Sequence, residues 1–186
     1  MDKISILIPT LGRPEGLKRC LNSIRKLNYP EHLIEVIIRD GEETVPEKIA
    51  KMFKGSTGDY IIYLANDTEI DPECINEALK LKKRLVSFNE GPLLPDNGNI
   101  CCHFMIKKTL VYEIGGQIFD TDFHHVGVDN LLWAICDKRG EAVWGENAKI
   151  IHHHFSKGEE MDDIYRKGWK HVEEDRQLLQ TKLSLL

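Results

Sequence analysis

Asp67 and the histidine run at 152–154 are the residues of this chain best suited to hold a divalent cation. Asp67 follows the apolar run Tyr60 to Leu64 and sits in the polar cluster Ala65-Asn66-Asp67-Thr68-Glu69. A carboxylate at a strand tip is an oxygen ligand for Mg²⁺ or Mn²⁺, and Mn²⁺ also tolerates an imidazole. His152-His153-His154 ends the apolar run that begins near Lys149. On an extended backbone residues 152 and 154 share one face and His153 takes the other, so His152, or alternatively His154, is the candidate second ligand. Each feature also has a plain reading: Asp67 suits a turn ahead of Pro72, and three histidines suit a polar strand end. Asp129 follows Gly127-Val128 at the start of a helical stretch, where a carboxylate can take the proton of an attacking hydroxyl. An aspartate in a helix's first turn also complements the helix dipole.

These side chains need a frame that gathers strand ends. Ile4 to Ile8 form a β-rich run ending at Pro9-Thr10, a Gly12-Arg13-Pro14 turn follows, and apolar residues then recur at Leu17, Cys20, Leu21, Ile24 and Leu27 with helical spacing. A second run, Ile34 to Ile38, ends at Arg39-Asp40-Gly41, and Thr44 with Glu47 makes a capping box for a helix through Ile49, Met52 and Phe53. The run at 60–64 precedes Pro72, which opens a third helix reaching about Leu85. Three strand-to-helix units predict an α/β fold with a mostly parallel, Rossmann-like sheet flanked by helices. Ligands bind such sheets beyond the carboxyl ends of the strands, where this chain places Thr10, Arg13, Asp40, Asn66 and Asp67.

The second half reads as a strand at 85–88, a Gly/Pro/Asn-rich loop over 89–99, a strand near 100–106 and a helix over 107–114 ending at Gly115-Gly116. A helix over 128–138 and short strands near Val143 and at 149–153 follow. From Met161, residues Ile164, Tyr165, Trp169, Val172, Leu179, Leu183 and Leu186 trace one face of a long amphipathic helix. We therefore expect a domain over 1–156 and a C-terminal helical extension over 157–186, whose leucine-rich end leaves room for a homodimer contact.

At 186 residues, with 41% hydrophobic and 30% charged residues, the chain suits one globular domain. A net charge of −5 argues against duplex nucleic acid as a partner. No apolar run approaches the roughly 20 residues that span a bilayer, and Met1-Asp2-Lys3 leads into a strand, so a cytoplasmic location is expected. Five cysteines without metal-ribbon spacing point to reduced, mostly buried thiols. The first strand is followed by neither a GxGxxG nor a GxxxxGK[ST] loop, which weakens a dinucleotide or ATP reading.

The stretches ISILIPTLGRPEGLKRCLNSI, IEVIIRDG, YIIYLANDTEIDPE, KKTLVYEIGG with GVDNLL, and AKIIHHH occur in the order that resembles the family-2 inverting glycosyltransferases of the GT-A fold, over roughly residues 3–156. The resemblance implies transfer of a sugar from a nucleoside diphosphate, UDP favoured, to a glycan or other hydroxyl acceptor with Mn²⁺ or Mg²⁺. It implies nucleotide contacts from Pro9, Thr10, Arg13, Asp40 and Asn66, metal ligation by Asp67 and His152, an acceptor-side glycine pair Gly115-Gly116, and Asp129 as the base. Ala65 stands where the first aspartate of the family's Asp-x-Asp lies, Val128 replaces the glutamate before the base, and the 40–60 segment is short for the family. Those departures motivate a second reading, a nucleotide-sugar-binding module without turnover.

Overall fold

The computed structural model describes residues 1–91, 101–155 and 163–186; within 163–168, the side chains of Ile164, Tyr165 and Lys167 are outside that description. Residues 92–99 of the loop expected over 89–99, and the expected helix start at Met161, also lie outside the described residues. Strands β1 (Ile4–Thr10), β2 (Ile34–Asp40), β3 (Tyr60–Tyr63), β4 (Thr68–Ile70), β5 (Leu85–Asn89), β6 (Phe104–Lys107) and β7 (Ala142–His152) form one curled sheet in the order β2-β1-β3-β6-β5-β7-β4. The helices are α1 (Pro14–Ile24), α2 (Val45–Gly55), α3 (Cys74–Lys80), α4 (Lys108–Glu113), α5 (Val128–Lys138), α6 (Asp163–Gly168) and α7 (Val172–Ser184).

The sheet is mixed rather than mostly parallel. β1 pairs in parallel with β2 and β3, and β5 with β7, whereas β6 runs antiparallel to both β3 and β5, and β4 antiparallel to β7. The expectation held for the three opening strand-to-helix units and failed where β6 enters between β3 and β5. No local pattern encodes strand direction once a connection is long.

Every residue of β1 is buried, as an inner strand of a sheet covered on both faces requires. Its alternate side chains separate two cores. Leu7 joins residues of α2, α4 and α5, including Ile49, Leu110 and Leu132, while Ile6 and Ile8 join Cys20 and Ile24 of α1 and Ile75 and Ala78 of α3. Thr44 caps α2 as its spacing predicts, accepting from the Glu47 N–H while the Glu47 carboxylate accepts from the Thr44 N–H. The third helix is shorter than expected: it ends at Lys80, Lys82 turns the chain with φ 54°, and Leu85 already opens β5; ahead of it, residues 68–70 form the unexpected β4. The two strands expected near 143 and 149–153 are one strand, β7, whose register against β5 slips between Phe88 and Asn89.

The C-terminal segment is broken rather than continuous: a 3-10 turn at Trp169–His171 separates α6 from α7. Leu178 and Leu179 pack on the α5 side of the core, and Leu183, Leu185 and Leu186 are exposed. Among the described residues no helix is long and apolar enough to cross a membrane. All five cysteines are free thiols, and all but Cys102 are buried.

Candidate functional site

The carboxyl ends of β1 and β3 gather the residues that the sequence singled out. Thr10 ends β1 in register with Asp40, the exposed last residue of β2. The Thr10 hydroxyl accepts from the Asn66 side-chain amide at 2.7 Å, and its carbonyl accepts from the buried Lys48 ammonium at 2.8 Å. Pro9, next to it, is buried in β1. Burial pulls the Lys48 ammonium below its ordinary pKa, against the opposing pull of Asp40 and Glu43. Lys48, which the sequence reading did not single out, therefore ties α2 to the strand end that carries Thr10.

Asp67 lies in the turn between β3 and β4 and is buried. Arg13, at the start of α1, donates to its Oδ2 at 3.0 Å. Helix α1 comes this close because residue 16 is glycine: a Cβ there would stand 3.0 Å from the Asn66 carbonyl oxygen. On the other side, the antiparallel pairing of Thr68 with His152 brings the end of β7 alongside, and His152 Nε2 sits 3.5 Å from Asp67 Oδ1. A three-residue strand carries too few side chains for alternation to reveal it, yet β4 is what joins the two candidate metal ligands.

Glu90, just past β5, completes this cluster. Its Oε2 accepts from His152 Nδ1 at 2.6 Å, and its Oε1 lies 3.3 Å from Nδ1 of His103. Burial of His152 alone would lower its pKa, but the hydrogen bonds to Asp67 and Glu90 outweigh that and raise it to about 9. Burial likewise opposes ionisation of Glu90, but His103 and His152 hold its carboxyl far below the ordinary range. The signal for Glu90 was present in the sequence as an acid at a strand's carboxyl end, but it sat at the edge of a stretch read as loop.

This donor set fits a small divalent cation. With Nδ1–H directed to Glu90, a neutral His152 presents its Nε2 lone pair towards Asp67, the carboxylate–histidine arrangement that orients metal-bound imidazoles. Glu90, His103 and His152 also bring donor atoms within 4.8 Å of one another. The Glu90 and His103 side chains are 0% and 2% exposed, so that trio is closed to a phosphate and acts as the support of His152. His153 points elsewhere, with Nε2 2.8 Å from Glu69, and His154 lies beside the His152 ring at 5.0 Å between centroids.

Asp129 is half-buried in the first turn of α5, whose preceding residue Gly127 has φ 86°. The Cys102 thiol is within hydrogen-bonding reach of Asp129, and burial first, then the Asp129 charge, pushes that thiol far up. His125 lies within the electrostatic reach of both halves of the site. Its pKa is lowered by burial against the fields of Asp129 and Asp175, and it also feels Arg13 and Asp67. Gly115 and Gly116 have φ 121° and 81°, and a cleft of about 160 Å³ is lined by Gly115, Asp120, Val128 and Leu132. Gly115 and the core-facing side of α5 thus border one cleft, whereas Asp129 lies on another side of that helix, where its charge and that of Asp67 both reach Tyr63 and His125.

Helix α7 holds this second half in place. The buried Asp175 carboxylate accepts the backbone N–H groups of His124, His125 and Val126 at 2.8–2.9 Å, and these three bonds outweigh burial and lower its pKa. Leu179 lies 3.1 Å from where a Gly127 Cβ would stand, and Lys182 donates to Asp120 and Asp122, both at 2.7 Å. The segment leading into Asp129 is therefore built partly from the C-terminal helix.

No protein-family model matches this chain, and no curated protein sequence matches it. Solved structures do. The mannosyltransferase PcManGT from Pyrobaculum calidifontis, in complex with GDP-Man and Mn²⁺, is similar over 81% of this chain and 56% of its own, with a TM-score of 0.66 and 14% identity. S. aureus TarS 1-349 is similar with a TM-score of 0.67 and 13% identity over 81% of this chain and 60% of its own. The same TarS segment in complex with UDP-GlcNAc is similar over 97% of this chain and 66% of its own, at a TM-score of 0.64 and 10% identity. The chain thus spans about three fifths of the length of these structures, and at such identities the likeness shows a shared fold.

Proposed function

We propose that this chain is a metal-dependent inverting glycosyltransferase domain that moves a sugar from a nucleoside diphosphate, UDP favoured, to the hydroxyl of a glycan or other acceptor. The observation that carries the proposal is the Arg13–Asp67–His152–Glu90 cluster at the sheet's carboxyl edge, on a fold shared with proteins solved with GDP-Man and with UDP-GlcNAc. Pro9, Thr10, Arg13, Asp40 and Asn66 line the nucleotide side. Asp67 and His152 hold Mn²⁺ or Mg²⁺, whose positive charge favours departure of the diphosphate. Glu90 keeps His152 in the tautomer that faces the ion. Asp129 stands on the acceptor side with Gly115 and Gly116 and takes the acceptor's proton as its oxygen attacks from the face opposite the leaving group.

Ala65 and Val128, where the resembled family carries carboxylates, favour a second reading in which donor is bound and not turned over. Incubating the protein with Mn²⁺, an acceptor panel and UDP- and GDP-sugars, and following release of nucleoside diphosphate, separates the two. Release that disappears in Asp129→Asn supports the transferase; donor binding without release supports the module; neither binding nor release defeats both. A homodimer through the exposed leucines of α7 is a further proposal, read by sedimentation of the Leu183→Glu variant against the parent.

A further inference from the structure

We propose that His124, His171 and Glu174 form a second metal site, for a borderline cation of the Zn²⁺ type, that fastens the C-terminal helix to the segment leading into Asp129. The site is independent of the Asp67 cluster and of the transferase reading. His124 belongs to the segment ahead of α5, whereas His171 ends the 3-10 turn and Glu174 sits in the first turn of α7. One donor atom from each lies within 4.8 Å of the others. The two imidazoles stack at 3.9 Å between centroids and 9° between planes, which brings nitrogens from residues 47 positions apart together and leaves one ring to tilt before both lone pairs, which lie in the ring planes, face one ion. Glu174 Oε2 is 2.8 Å from His171 Nδ1.

Two features separate this trio from a chance surface cluster. The first is a supporting carboxylate: Asp175 Oδ1 lies 3.5 Å from His124 Nδ1, and Asp175 is itself buried and anchored by three backbone donors. An acid behind a histidine leaves the opposite ring nitrogen available to a metal and fixes the ring's orientation. The second is that the backbones bearing the donors are already held against each other, by those bonds and by the Leu179–Gly127 contact, so an ion need not assemble the seam. Ligand atoms on a tetrahedral Zn²⁺ are about 3.3 Å apart, and the half-exposed rings reach that arrangement when one of them turns out of the stack.

The donor chemistry chooses the ion. Two imidazoles and one carboxylate suit Zn²⁺ with water in the fourth position, and they discriminate against Mg²⁺, which prefers oxygen. His124, His171 and Glu174 are about half-exposed or more, so the ion has access from solvent.

The test is calorimetric titration of Zn²⁺ into the full chain carrying Asp67→Asn and His152→Gln, which disables the first cluster, with melting followed in parallel. The expected result is one ion per chain, a melting temperature raised by about 5–10 °C at a hundredfold excess over Kd, and no response to Mg²⁺. Adding His171→Gln should weaken Zn²⁺ binding at least tenfold, and adding His124→Gln instead should do the same, which keeps the test intact if either variant folds poorly. Binding that is absent below about 100 µM Zn²⁺ overturns the proposal. So does binding that survives unchanged in both histidine variants, or binding present in the parent and lost with the first cluster alone.

Discussion

Raising the pH from 7 to 9 should strengthen divalent-metal binding about fiftyfold. In the ion-free protein His152 lies between Asp67 and Glu90 with a pKa of about 9, so at pH 7 it is an imidazolium. A cation that takes Nε2 must displace that proton. Two pH units below the pKa this competition weakens apparent affinity about a hundredfold, or about 2.7 kcal/mol at 1.36 kcal/mol per unit. The sign for stability is the reverse. A pKa raised in the folded state stabilises the ion-free protein fully below pH 6.5, the ordinary value, and that contribution fades as pH rises through about 9. The assay is titration of Mn²⁺, under argon to prevent its oxidation, into protein saturated with UDP at pH 7, 8 and 9, where the terminal phosphate is already ionised, in two buffers of different ionisation enthalpy. About ninefold tighter binding from pH 7 to 8 and about fivefold from 8 to 9 are expected, with about one proton released per ion at pH 7 falling to about half at pH 9, and the slope flattened in His152→Gln. Affinity independent of pH with no proton released would refute the reasoning, because His152 would then not be the group displaced.

Other consequences follow from the same contacts. Asp129→Asn should bind nucleotide and metal like the parent yet lose transfer by about a hundred- to ten-thousand-fold, as measured with saturating donor; a merely dipole-complementing aspartate would tolerate the change. Arg13→Ala removes the cation 3.0 Å from buried Asp67 and should lower ion-free stability by about 1–3 kcal/mol in denaturant unfolding, with part of the loss recovered on adding Mn²⁺ and UDP. Asp175→Ala strips three backbone donors of their acceptor and should cost about 2–4 kcal/mol, while Asp175→Asn, which keeps one carbonyl oxygen, should cost visibly less in the same measurement.

Much of the frame was legible because local rules wrote it. The β-rich run of β1, the capping box at Thr44 and the helix over 128–138 each need only a short window of sequence, and each element is found where it was expected. The features missed depend on distant partners. β6 reverses the sheet's direction between two strands, β4 exists because β7 pairs with it, and β7 runs unbroken because its irregularity is absorbed opposite Phe88 and Asn89. At the site, Asp67 and His152 were readable as residue types, but their approach is set by that hidden β4–β7 pairing. Glu90 and Asp175 were passed over for another reason. A surface-type residue is recognised as a support only when its burial and its partners are known, and both carboxylates act through groups far away in the chain.

The account stands most directly on metal-dependent nucleotide binding at Asp67. Calorimetric titration of UDP, and of GDP for comparison, should be run with and without Mn²⁺ on the parent and on Asp67→Ala, with folding of the variant checked by its melt. The account predicts binding in the parent that Mn²⁺ tightens at least tenfold, and a variant that keeps its fold but loses the Mn²⁺-dependent gain. Nucleotide binding whose metal dependence is the same in parent and variant, or no binding of either nucleotide near a millimolar, would contradict it.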